Sequence, residues 1–128
     1  MGKPGATGLK RIFNATFYSF KGFKAGFKYE AAVRQELFLA VPLTCLAFYL
    51  ADSLALLLIL IILPWLTFTF ELANSAIEAV VDRIGNEYHE LSGRAKDLGS
   101  ACVFVLLVLT FIAYVLAFLN KFEIWSIA

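Results

Sequence analysis

The chain has 128 residues, of which 61% are hydrophobic, with eleven lysines and arginines against ten acidic residues. A mean hydropathy of +0.79 lies well outside the range of water-soluble domains, which are about 45–50% apolar. The near-cancelling charge gives no global attraction for nucleic acid, so the information lies in where the charges stand.

The length suggests one domain over residues 1–128. The opening MGKPGATGLKR leads into an amphipathic stretch, not an uninterrupted apolar run with a small-residue cleavage site, so a cleaved signal peptide is not expected. From residue 8 to about 28 the pattern is helical. Leu9, Ile12, Phe13, Thr16, Phe20, Phe23 and Phe27 fall on one side at 100° per residue, and Lys10, Asn14, Lys21 and Lys28 on the other. Phe17 breaks the pattern, and Gly22 and Gly26 loosen the helix. Such a basic amphipathic helix is expected to lie in a membrane interface.

Three spans are expected beyond it, over about 30–51, 53–84 and 97–120. A spanning helix needs about 20 mostly apolar residues. The runs Ser53 to Phe70 and Leu98 to Asn120 carry no ionisable group, whereas Leu37 to Ala51 reaches spanning length only if its helix starts near Glu30, with Arg34 and Glu36 at headgroup level. Pro42 and Pro64 sit inside spans, where membrane helices tolerate them. Cys45 and Cys102 each lie in an apolar run with no metal-binding spacing, and are expected to be small buried apolar residues. Seven basic residues (Lys3, Lys10, Arg11, Lys21, Lys24, Lys28 and Arg34) precede the first span, and Arg83, Arg94 and Lys96 lie between the second and third. The turn Ala51-Asp52-Ser53 has none and the C-terminal tail only Lys121. The amino terminus and the 82–97 segment are therefore expected to face the cytoplasm together.

The second span runs on as FELANSAIEAVVDRIG, with Glu71, Asn74 and Glu78 at i, i+3 and i+7 on one helical face and Asp82 a turn further. Ionisable groups at membrane depth are costly and point to function; the plainer reading is an interhelical hydrogen bond or a rim carboxylate. The following polar segment, DRIGNEYHELSGRAKDLG, carries Gly85 and Gly93 as expected turn formers, the only histidine, His89, and the pair Lys96-Asp97. Taken alone, His89 reads as a solvated loop residue. The sequence contains no HExxH, no cysteine cluster and no GxxxxGK[ST]. Carboxylates beside basic residues at a lipid surface suit phosphoryl transfer, because Mg²⁺ takes one or two carboxylates plus substrate phosphates.

The run ELANSAIEAVVDRIGNEYHELSGRAKDLGSA resembles the signature of the bacterial integral-membrane diacylglycerol kinases, and RIFNATFYSFKGFKAGFKYEAAVRQE resembles that family's amino-terminal helix leading into its first span. The resemblance covers roughly residues 8–120 and leaves EIWSIA as a tail. It implies an all-α membrane protein assembled as a homotrimer in the bacterial cytoplasmic (inner) membrane, moving the γ-phosphoryl of MgATP onto diacylglycerol to give phosphatidic acid. It further implies Glu71 as general base and Glu30 and Glu78 as holders of Mg²⁺. Arg11, Tyr18, Glu30, Glu78, Glu87, Tyr88, His89, Lys96 and Asp97 are implied as ATP contacts. Arg11, Ala15, Ser19, Glu36, Glu71, Asn74 and Ser100 are implied to bind the acceptor or support the base. Undecaprenol kinase is the alternative on the same fold, since these residues do not encode acceptor choice. A small transporter with a membrane-edge glutamate is the rival of a different class, and it would leave Glu78, Lys96 and Asp97 without a task.

Overall fold

A backbone in hydrocarbon has to pair its own N–H and C=O groups, which favours unbroken helices over every long apolar run. The computed structural model describes residue 5 and residues 7–125, and it contains four α-helices. Lys3 and the last three residues of the expected tail lie outside the described residues. Helix α1 is Gly8–Tyr29, α2 Ala31–Leu50, α3 Leu54–Ile84 and α4 Glu90–Lys121. The last three are long and apolar enough to cross a membrane. At 1.5 Å per residue the 20 residues of α2 reach about 30 Å, the thickness of a hydrocarbon layer, while the 31 of α3 reach about 46 Å. The excess length of α3 carries its polar row.

Helix α3 is the centre of the bundle. It packs along both α2 and α4, which scarcely meet each other. The core is Ala47 and Leu50 from α2, Leu60 from α3, and Tyr114 and Ala117 from α4. One hydrogen bond there answers a specific need. Pro64 has no N–H, so the Leu60 carbonyl one turn back loses its helical donor. The Tyr114 hydroxyl lies 2.7 Å from that carbonyl and 2.8 Å from the Leu43 carbonyl of α2, so one O–H ties three helices together. At the far end of the bundle, Ser53 caps α3 by accepting from the Leu56 N–H at 3.2 Å, and Asn120 Nδ2 donates to Asp52 at 3.0 Å.

The elements depart from the sequence expectations in three places. Gly93 is not a turn former but lies inside α4, which begins at Glu90, seven residues before the expected third span. The start is fixed by His89, whose Nδ1 accepts from the Leu91 N–H at 3.1 Å as the N-cap; the loop shrinks to 85–89. Cys45 and Cys102 are exposed, not buried. Small apolar side chains are as suited to an outer apolar face as to a core.

Tyr114→Phe should therefore lower stability in mixed micelles by about 0.5–2 kcal/mol, the range for hydrogen bonds between membrane helices. Adding Pro64→Ala, which returns an N–H to the Leu60 carbonyl, should recover part of that loss. Denaturation midpoints of the single and double variants provide the check, and an unchanged midpoint in Tyr114→Phe would remove this bond from the account.

Candidate active site

The polar row stands in the half of α3 nearest the 85–89 loop. Glu71 and Asn74 are each only 7% exposed, and Ser75 9%; Glu78 is half-buried. Asn74 Nδ2 donates to Glu78 Oε1 at a long 3.4 Å, and the same carboxamide stands close enough to Glu71 to favour its charge. Two further carboxylates act on Glu71 electrostatically from outside α3: Glu30 at the α1–α2 junction and Glu36 one and a half turns into α2. Among the described residues, the only ion pairs are Arg94–Glu90 and Lys96–Asp82. Four glutamates thus share one neighbourhood with no lysine or arginine bound to them.

Glu30 owes its place to a break in the helix. It is at once the C-cap of α1 and the N-cap of α2, with extended backbone at φ −116° and ψ 109°. Arg34 holds that bend. Its Nη1 donates to the Phe27 carbonyl at 2.7 Å and the Lys28 carbonyl at 3.2 Å, while the Glu30 N–H serves Gly26 at 2.9 Å. Three of the four carbonyls orphaned at the end of α1 are thereby paired, and a cation stands at the negative pole of the helix. The rest of α1 leans on the bundle through Phe23 over Phe68, with centroids 6.5 Å apart, and Phe27 against Phe38 at 6.2 Å.

Two clefts flank this neighbourhood. One, of about 570 Å³, lies between α1 and α3; it is mostly apolar, with Ser19, Glu30 and Ser75 as its polar lining and Phe23 and Leu72 among the apolar walls. The other, about 320 Å³, is polar and sits under the loop, lined by Asp82, Glu87, Tyr88, His89 and Lys96 among others. Across its mouth Lys96 Nζ donates to Asp82 at 2.7 Å.

The residues singled out in the sequence therefore fall into groups. Glu30, Glu36, Glu71, Asn74 and Glu78 are brought together, as are Glu87, Tyr88, His89 and Lys96. Ser19 lines the apolar cleft and its hydroxyl donates to the Ala15 carbonyl at 2.9 Å. Asp97 and Ser100 are exposed on α4 beyond the polar cleft. Arg11 and Ala15 are exposed on the first half of α1 and line neither cleft; Tyr18 is half-buried with Lys21 Nζ 5.9 Å from its ring centroid. Sequence reasoning passed over Asp82 as a partner of Lys96, Arg34 as the holder of the bend, and Gly99, buried where α4 meets Asn74. The first two had a signal, in that each is a charge near a helix end.

The carboxylate set fits a hard divalent cation. Like-charged carboxylates share one neighbourhood without a side-chain counter-ion, which is costly unless a cation offsets it. Among the described residues no three His, Cys, Asp or Glu side chains gather closely enough to hold an ion alone, so a Mg²⁺ ion here would take one or two carboxylates and complete its shell with phosphate oxygens and water.

Residues 17–118 match the family described as prokaryotic diacylglycerol kinase. A diacylglycerol kinase of Haemophilus influenzae is 49% identical over 108 residues, covering 84% of this chain and 92% of its own. One from Escherichia coli strain K12 is 45% identical over 119 residues, covering 91% and 95%. One from Pseudomonas aeruginosa is 52% identical over 103 residues, covering 80% and 84%.

Arg34→Ala should fray the last turn of α1. Hydrogen exchange at residues 27–30 is expected to quicken by about tenfold, equivalent to about 1.4 kcal/mol for a lost charge-assisted cap, with the amides of α3 unchanged. Equal protection in variant and parent would show that the bend does not depend on this guanidinium.

Proposed function

Because the chain belongs to the prokaryotic diacylglycerol kinase family, we propose that it uses ATP to phosphorylate diacylglycerol within the membrane, giving phosphatidic acid and ADP. The observation that carries this reading is a polar row on α3 that starts at the buried Glu71 and runs past an apolar cleft lined by Glu30 and Ser75 toward a polar cleft under the loop. A lipid hydroxyl and a nucleotide come from opposite phases, and a base serving both has to stand at their boundary.

Glu71 is the general base. As the acceptor oxygen bonds to the γ-phosphorus and the bond to ADP breaks, the hydroxyl proton passes to the Glu71 carboxylate. A carboxylate of ordinary basicity suffices, because the proton becomes acidic only once the new bond is forming. Asn74 keeps Glu71 oriented through its amide, Glu36 and Ser19 line the path of the acceptor within one chain, and Ala15 and Ser100 serve it from the outer faces, across to a neighbouring copy. Glu30 and Glu78 are the residues that would hold Mg²⁺, which supplies positive charge against the phosphate oxygens when it arrives with ATP. Lys96 and Arg11 add cationic charge for the triphosphate, and Tyr18, Glu87, Tyr88, His89 and Asp97 receive the rest of the nucleotide. Phosphoryl transfer depends on such positioning and charge balance more than on covalent participation by the protein.

The assembly is a homotrimer in the bacterial inner membrane, with α1 lying in the interface and the 85–89 loop on the cytoplasmic side. In the most apolar stretch of each span only 17%, 28% and 22% of the residues are buried within one chain, so the outer faces are free for lipid and for further copies. Arg11 and Ala15, remote from both clefts of their own chain, are then available to a neighbouring copy.

Glu71→Gln should lower kcat by about 10²- to 10⁴-fold, the usual loss on removing a general base, with nucleotide affinity largely kept. Kinetics and ATP binding on the purified variant decide the matter. Activity above roughly a tenth of the parent would refute the assignment of Glu71 as base.

A further inference from the structure

We propose that Gly99 is a positioning residue for the Glu71 row, acting through Asn74; the inference rests on the function proposed above. Gly99 is a buried interior residue of α4, a place where glycine weakens a helix relative to alanine. Its surroundings explain the choice. A Cβ built at 99 would collide with Asn74 Oδ1, and it would stand 3.2 Å from Asn74 Cγ and 3.7 Å from Ile77 Cδ1. At Gly93, two turns earlier in the same helix, a Cβ would meet nothing within 4 Å. Within α4 the steric demand for glycine is therefore local to the Asn74 contact.

That contact also decides which way the carboxamide points. Asn74 Oδ1 is buried without a hydrogen-bond partner, while its Nδ2 faces the carboxylates. Turned the other way, the amide would aim its oxygen at Glu71 and Glu78, oxygen against anionic oxygen, and its donors at a carbon. With no side chain at 99, the oxygen rests against the Gly99 backbone, where Cα–H offers the weak donor that close helix contacts use. The NH₂ is then left for the glutamates. A methyl group at 99 pushes the amide out of this slot and takes its donors away from the base.

The test is a double-mutant cycle on the full chain in lipid, comparing Gly99→Ala, Asn74→Ala and the pair, with kcat, KM for MgATP and the unfolding midpoint measured for each. Gly99→Ala is expected to lower kcat by about a hundred-fold, as for an ångström-scale misplacement in a catalytic constellation, with KM for MgATP held within about twofold. The pair should be no worse than Asn74→Ala alone, because truncating Asn74 removes both the clash and the function. Losses that multiply in the pair, or near-normal kcat in Gly99→Ala, would overturn the role of Gly99 while leaving the Glu71 assignment standing. Parental kcat in Asn74→Ala would instead overturn the reading of the row and this inference with it. If Gly99→Ala fails to fold, recovery of folding in the pair supports the contact, and continued failure refutes it.

Discussion

Moving a carboxylate out of water costs several kcal/mol unless hydrogen bonds or opposite charges compensate. In this chain the constraint falls on Glu71, 7% exposed in the middle of a long apolar helix. Its compensation is partial. It has the Asn74 carboxamide, and around it stand Glu30, Glu36 and Glu78, which add to the negative charge instead of offsetting it. A protein that needed Glu71 only for packing would do better with leucine. The arrangement makes sense if the missing positive charge is brought by substrates, so that the site is completed when a nucleotide and its cation arrive.

Much of the fold follows from meeting this requirement. Helix α3 has to be longer than the hydrocarbon layer so that its row of polar groups can begin at depth and end among the loop residues. Helix α2 has to bring Glu36 alongside, and the junction with α1 has to bring Glu30, which is why the chain bends there and why Arg34 is spent on the carbonyls of α1 instead of pairing with a glutamate. Helix α4 has to start early, at Glu90, so that Lys96 reaches Asp82 and Gly99 reaches Asn74. The far half of the bundle, with Tyr114 serving carbonyls of α2 and α3, fixes the helices in the register that these contacts need.

The helices and the row Glu71, Asn74, Glu78 were legible in the sequence because each is written in a period: long apolar runs for the spans, and i, i+3, i+7 for one helical face. Glu30 and Glu36 stood at the start of the first span, but entered the site only through the family resemblance. What escaped reading is set by contacts between helices, which no single-helix period encodes. Gly93 and Gly99 look alike as letters, yet one faces open space and the other a buried amide. His89 read as a solvated loop residue because its cap is made by a ring nitrogen, a less familiar capping group than a serine or aspartate oxygen. Cys45 and Cys102 were expected inside because soluble proteins bury cysteine; a chain with apolar outer faces has no need to.

The central claim is that the carboxylates around Glu71 receive a lipid hydroxyl from one phase and a triphosphate from the other. The most direct measurement is to supply the purified protein, in bilayers containing equal amounts of diacylglycerol and undecaprenol, with γ-labelled ATP and Mg²⁺, and to separate the labelled lipids. The account predicts label in phosphatidic acid, dependent on the divalent cation. No labelled lipid at all, or label that needs no divalent cation, would contradict it, and label confined to the polyprenyl phosphate would contradict diacylglycerol as the acceptor.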